Sequence, residues 1–198
     1  MAINIDKTLL LLVDVQNDFC PDGALAVKDG DKIIQPLNVL AKIIAEKGGK
    51  VAATQDWHPV GHVSFEVWPS HCVQGTVGAD FHKELDTKLV SLIVRKGFRP
   101  NLDSYSAFFE NDRKTSTGLE GWIKTLGLET VILGGLATDY CVFYSAMDSK
   151  QLGFQTIVIS DAVRGVGLPE GSIEKAIDEM KNADIKFITS TELMESLK

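Results

Sequence analysis

Residues 8–14, TLLLLVD, decide how the chain is read. A short unbroken apolar run stopped by a carboxylate is too brief to span a membrane and fits a strand buried on both faces of a parallel sheet. Runs of the same kind, rich in branched residues, recur at 50–54, 89–94, 130–133, 155–159 and 185–188. Amphipathic stretches lie between several of them. Ile33, Leu37, Leu40, Ala41 and Ile44 share one helical face that ends at the Gly48-Gly49 pair, and Ile173, Ala176, Ile177 and Met180 repeat the pattern with Lys and Glu opposite. Strands alternating with helices predict an α/β fold. The expected architecture is three-layer α/β/α, with a central, mostly parallel sheet of about six strands.

The bulk properties agree with one globular domain over residues 1–198, with hydrophobic residues at 44% and charged residues at 24%. A net charge of −7 without any Lys/Arg block argues against nucleic acid or an anionic membrane as partner and is compatible with a small neutral substrate. Cys20, Cys72 and Cys141 are odd in number and lack CxxC spacing, and the N-terminal apolar run is too short and too badly flanked for a signal peptide. The expectation is a cytoplasmic protein with reduced thiols. Oligomeric state is left open, although folds of this type often associate through exposed helices or loops.

Residues 56–82, DWHPVGHVSFEVWPSHCVQGTVGADFH, fit neither helix nor strand and hold all four histidines. A long insertion of this kind inside a compact domain is functional or disordered, and its aromatic and histidine content argues for function. Asp56 and His58 stand two apart, so on an extended segment they point to one side, and His71 follows a Trp-Pro pair. An Asp/His/His set with positions left over suits a divalent metal, with zinc placed first and iron or manganese as alternatives.

In open parallel sheets ligands bind outside the carboxyl ends of the strands. The first strand ends at Asp14, the second runs into Asp56 and His58, the third into Arg95-Lys96-Gly97, and the fourth through Gly134-Gly135 into ATDYC. A carboxylate, a metal site, an amine and a thiol are thus expected on one rim. Cys141 is the candidate nucleophile. Thr138 or Asp139 is expected to cap the helix that begins there, placing Cys141 in its first turn, where amide dipoles and the Lys96 cation favour a thiolate. Asp14 is placed to accept the thiol proton and return it to a leaving amine, and the small residues before Cys141 leave room for an oxyanion hole. Taken singly, each residue has a structural explanation: free cysteine is commonly buried packing, and the DxH spacing recurs by chance.

Together the segments DVQNDF (14–19), DWHPVGHVSF (56–65), WPSHCVQGTVGADFH (68–82), RKG (95–97), DSYSAF (103–108) and GLATDYCV (135–142) resemble the nicotinamidases of the isochorismatase-like cysteine hydrolases. The resemblance spans nearly the whole chain, with the motifs in the family's order. It implies hydrolysis of nicotinamide to nicotinate and ammonia through a thioester, with Cys141 as nucleophile, Asp14 as acid/base and Lys96 as the supporting amine. It further implies Asp56, His58 and His71 as metal ligands, with the substrate's pyridine nitrogen reaching an open position on the ion. Phe19 and Trp68 would sandwich the ring, with Tyr105 a weaker pocket candidate. Main-chain N–H groups at Ala137 and Cys141 would form the oxyanion hole, with a cis peptide before Ala137. His62 is either a fourth ligand or a group that orients one, while His82 and Cys72 are expected to support the loop, and Tyr140 to shape the pocket. Two alternatives compete with this reading: a related amidase acting on an N-carbamoyl or ureido compound, and a non-catalytic sensor or partner subunit that keeps the fold. The intact nucleophile, acid and amine argue against the second.

Overall fold

A computed structural model describes residues 3–197 of the chain. Six parallel strands, β1 (Thr8–Val13), β2 (Lys50–Asp56), β3 (Leu92–Lys96), β4 (Thr130–Leu136), β5 (Gln155–Arg164) and β6 (Lys186–Ile188), form one sheet in the order β3-β2-β1-β4-β5-β6. The helices are α1 (Ile34–Glu46), α2 (Leu119–Thr125), α3 (Phe143–Gln151), α4 (Ser172–Asn182) and α5 (Ser190–Ser196). None of the helices among the described residues is long and apolar enough to cross a membrane.

The alternation of side chains along β1 divides the core into two layers. Leu10 and Leu12 face α1 and α5 through Leu37, Leu40 and Leu193. Leu9, Leu11 and Val13 point the other way, into Leu119 and Ile123 of α2, Ala146 of α3 and Met180 of α4. Because both faces are covered, every residue of β1 and β4 is buried, as an unbroken apolar run requires. α1 begins one residue later than its apolar face, since Ile33 closes a preceding 3-10 turn, and Pro36 falls in its first turn, where a missing N–H costs no helical bond.

Full burial fails at the two edges. β3 alternates buried Val94 and Lys96 with exposed Ile93 and Arg95, and no residue of β6 is fully buried, because an edge strand has a neighbour on one side only. β3 also starts at Leu92 rather than at residue 89, which belongs to the turn Thr87–Leu89. At the carboxyl ends β2, β3 and β4 run further than the apolar pattern, to Asp56, Lys96 and Leu136. The polar residues at these ends are strand residues, held by the ladder rather than by loops.

The strand order reverses direction between β1 and β4, where the chain leaves a crevice at the carboxyl ends. The two strands approach there closely enough to exclude a side chain. Gly135 has φ of 135°, and a Cβ on it would lie 2.1 Å from the carbonyl oxygen of Val13. Gly135→Ala is therefore expected to destabilise the fold by about 3 kcal/mol or more, read as a lowered urea midpoint, whereas an unchanged midpoint would contradict the close β1–β4 approach.

Candidate active site

Four adjacent strand ends deliver the polar residues. Asp56 and Lys96 are register partners across β2 and β3, Asp14 follows β1, and Cys141 follows β4 by one turn. Lys96 is fully buried at the centre of this group. Its ammonium donates to Asp56 Oδ1 at 2.5 Å, to the Ser104 carbonyl at 2.9 Å and to Cys141 Sγ at 3.4 Å. These contacts use all three of its protons. Asp14 Oδ2 lies 2.9 Å from the same nitrogen, yet is a buried oxygen that receives no hydrogen bond. The other oxygen, Oδ1, accepts from the Thr54 hydroxyl at 2.6 Å, and the Thr54 oxygen accepts from the Asp14 N–H at 3.1 Å. Asp14 is held with φ of 48°, outside the range most non-glycine residues adopt.

The electrostatics follow from this packing. Burial raises the Asp14 carboxyl above its ordinary range; Lys96 opposes that effect without cancelling it. For Asp56, burial also acts upward, but Lys96 and His58 outweigh it and hold the group low. Burial alone would discharge Lys96, but Asp14, Asp56 and Cys141 keep it firmly protonated. The Cys141 thiol behaves opposite to the sequence-based expectation. Burial, reinforced by Asp14 and Asp56, pushes it well above the usual thiol range, and the Lys96 cation does not compensate. In this state Cys141 is a neutral thiol.

Local geometry corrects a second expectation. The segment Thr138–Val142 is a single π-helical turn leading into α3, and neither Thr138 nor Asp139 caps it by a side-chain bond. Cys141 does sit in that turn, 6% exposed. Asp139 reaches instead to the N–H groups of Val166 and Gly167 and to the Ser172 hydroxyl. The Leu136–Ala137 peptide is cis, as the resemblance implied.

Beside Lys96 the second cluster converges. Asp56, His58 and His71 are buried and present ligand atoms within 4.8 Å of one another. His58 Nδ1 pairs with the Gly97 carbonyl at 2.8 Å and His71 Nδ1 with the Pro69 carbonyl at 2.7 Å, so each ring keeps Nε2 for another partner. His58 Nε2 is buried without a hydrogen bond, 3.6 Å from Asp56 Oδ2. An orphaned imidazole nitrogen beside a carboxylate and a second imidazole fits a divalent ion with mixed N/O ligation. Gly97 explains the RKG motif: with φ of 62°, a Cβ there would fall 2.5 Å from the His58 ring. His62 stacks on His58 with centroids 4.1 Å apart. Both of its nitrogens are engaged, Nδ1 with the Ser64 N–H and Nε2 with the Leu102 carbonyl. It thereby braces His58, and with His58 and Asp103 it also presents ligand atoms within 4.8 Å of one another.

A pocket open to solvent, with about 420 Å³ of empty space including its mouth, joins the two clusters. Phe19, Trp68, Ala137 and Cys141 line it, together with Asp56, His71, Tyr105 and Tyr140. Trp68 donates its indole N–H to the Tyr105 hydroxyl at 3.2 Å and packs edge-on against Tyr140. Leu25 and Val166 of the wall carry no signal in the sequence, since each lies in an irregular segment, whereas Ser64 falls within the DWHPVGHVSF motif. Thr54, Asp103 and Ser104 were detectable: Thr54 lies two residues before Asp56 on the strand beside β1, and the other two open the DSYSAF motif. Cys72 donates its N–H to Asp18 and accepts from His58, and the His82 N–H bonds to Val15, so both brace the loop through the main chain. All three cysteines are free.

The Isochorismatase domain profile matches residues 8–192. A nicotinamidase from Acinetobacter baylyi is 42% identical, over 93% of this chain and 94% of its own length. The chain belongs to the nicotinamidase branch of the isochorismatase-domain family. The Escherichia coli nicotinamidase is 39% identical over 94% of this chain and 97% of its own. Among solved structures, a nicotinamidase pyrazinamidase from Acinetobacter baumanii superposes with a TM-score of 0.91 at 43% identity, covering 95% of this chain and 98% of that one. An L. infantum protein in complex with nicotinate gives 0.89 at 34% identity, with 96% of each chain covered. A pyrazinamidase of Pyrococcus horikoshii in complex with zinc gives 0.83 at 37% identity, covering 92% of this chain and 99% of that one. Family membership thus rests on nearly the full length of the described residues.

The raised Cys141 thiol has a direct consequence. In ligand-free protein its alkylation by iodoacetamide should be slow at neutral pH and should keep rising past pH 9, because only the thiolate reacts and it gains population as pH climbs towards the raised pKa. The alkylated peptide identifies the thiol, because burial also pushes Cys20 up, to about 11. A rate plateau below pH 7 would contradict the neutral thiol.

Proposed function

We propose that this chain is a nicotinamidase, hydrolysing nicotinamide to nicotinate and ammonia with Cys141 as nucleophile, Asp14 as acid/base and Lys96 as the fixed cation between them. The observation that carries the reading is the undonated Asp14 Oδ2, buried beside the Cys141 thiol on a shared ammonium. Its raised pKa makes Asp14 a competent acceptor for a proton that the thiol also holds strongly. Moving that proton transfers negative charge from Oδ2 to Sγ, and both atoms face Lys96 Nζ, at 2.9 and 3.4 Å. The transfer therefore needs little electrostatic reorganisation.

In the first half-reaction Asp14 takes the thiol proton and Sγ adds to the carboxamide carbon. The C–N bond then breaks as Asp14 returns the proton to nitrogen, releasing ammonia and leaving a nicotinoyl thioester on Cys141. In the second half, Asp14 accepts a proton from water as the oxygen attacks the thioester carbonyl; the C–S bond breaks and the thiol recovers the proton. Main-chain N–H groups of Ala137 and Cys141 are the proposed donors to the developing oxyanion. Phe19 and Trp68, both in the cavity wall, are the proposed ring contacts.

Asp56, His58 and His71 are proposed to hold a divalent ion, with zinc the first candidate given the zinc-bound relative. Bound there, the ion supplies a Lewis-acid anchor for a ring nitrogen. The chain's own contribution is to orient the two imidazoles through Gly97 and Pro69.

Cys141→Ala should lower ammonia release from nicotinamide by about 10⁴-fold or more while leaving metal content unchanged, and undiminished turnover in that variant would refute the assignment. His71→Ala should lose bound metal, measured by elemental analysis. Retention of a full equivalent would remove His71 from the ligand set.

A further inference from the structure

The two residues before Cys141 both hold one distant loop. Asp139 is buried, and its Oδ1 accepts from the Val166 N–H at 2.9 Å, while Oδ2 accepts from the Gly167 N–H at 2.9 Å and the Ser172 hydroxyl at 2.6 Å. Tyr140 donates its hydroxyl to the Leu168 carbonyl at 2.5 Å. The loop between β5 and α4 is thereby tied to the turn that presents the nucleophile. Val166, at the head of the tied segment, is part of the cavity wall.

Val166 also packs against the core, whereas the residues after it are more open. Gly167 and Gly171 lie in the left-handed region, at φ of 73° and 82°, and Leu168 is 60% exposed. α4 has no side-chain cap of its own at Gly171. The Asp139 carboxylate takes the Ser172 hydroxyl at the first residue of α4, and its charge complements the positive end of the helix dipole, while the Ser172 N–H bonds to the Pro169 carbonyl. Asp139 therefore links the loop, the start of α4 and the nucleophile's turn, with Tyr140 adding a second tie to the loop.

We propose that Asp139 is a positioning residue that sets the width of the substrate cavity by holding the Val166 wall at a fixed distance from Cys141. Asp139 acts through Val166 and touches no reacting atom. The proposal rests on the nicotinamidase reading for its substrate and adds to it the source of ring selectivity: a narrow wall favours the unsubstituted pyridine ring over rings carrying an extra group.

The test compares Asp139→Asn, Ser172→Ala and Val166→Ala with the parent protein on nicotinamide and on a ring-methylated nicotinamide, with kcat, KM, Tm and metal content measured on each. Asp139→Asn keeps the side-chain shape but leaves one acceptor oxygen for donors that now use two. It should raise KM for nicotinamide about tenfold, with a smaller change in kcat, and should narrow the kcat/KM preference for nicotinamide over the methylated ring at least fivefold. Val166→Ala, which opens the wall without touching the tie, should narrow the preference in the same direction. Ser172→Ala should give a milder form of the Asp139→Asn effect.

An Asp139→Asn protein whose preference is unchanged would overturn the proposal, whether its activity is intact or falls only in step with Tm. Should Asp139→Asn fail to fold, an unchanged preference in Val166→Ala overturns it instead. Failure of the substrate reading is distinguishable, because the parent protein would then release no ammonia from nicotinamide.

Discussion

A fully buried ammonium, that of Lys96, organises the carboxyl ends of four strands. Removing a charge of this kind from water costs several kcal/mol, and the cost is tolerable only where opposite charges and carbonyl dipoles surround it. Lys96 meets that condition with Asp56, Asp14, the Ser104 carbonyl and the Cys141 sulfur. Each partner is positioned by a different strand or loop, so the ion cluster and the register of β1 to β4 depend on one another. The same cluster separates the two carboxylates by role. Asp56, bonded to Lys96 and facing two imidazoles, is held ionised, while Asp14, with Oδ2 undonated, retains basicity.

The arrangement changes what it means for the cysteine to be activated. Around the sulfur of the ligand-free chain, burial and the carboxylates of Asp14 and Asp56 outweigh the single Lys96 cation. The structure holds a neutral thiol next to a base of raised pKa, with the cation equidistant enough to serve either anion. Reactivity then arises when a substrate carbonyl presents itself to the sulfur, and the thiol stays unreactive otherwise. This logic also accounts for the burial of Cys141, since charge interactions strengthen away from bulk water.

Much of this was legible in the sequence. The apolar runs located all six strands of the sheet, most clearly where both faces are covered, and residues at or just past the ends of four of them, Asp14, Asp56, Lys96 and Cys141, proved to meet on one rim. The edges were misread in part: β3 starts later than its apolar pattern, since residues 89–91 are apolar or small for turn packing rather than for the sheet. DxH and the Trp-Pro-Ser-His stretch marked the histidine cluster, but the bonds of His62 to Ser64 and Leu102 are encoded by no spacing. Thiol ionisation was misjudged for a related reason. A helix start and a lysine are visible in the chain, whereas the depth of burial and the convergence of Asp14 and Asp56 on the sulfur exist only after folding. The role of Asp139 was hidden likewise, because a capping residue and a long-range tie look identical in sequence.

The central claim is that Cys141 carries the acyl group between the two half-reactions while Asp14 moves the proton. Acid-quenched turnover of nicotinamide, followed by mass analysis of the peptide containing Cys141, tests it most directly. The account predicts a fraction of that peptide heavier by one nicotinoyl group, lost on treatment with hydroxylamine and absent from an Asp14→Asn protein. Steady turnover with no adduct on Cys141 at any quench time, and with nicotinate formed at full rate by Cys141→Ser, would contradict it.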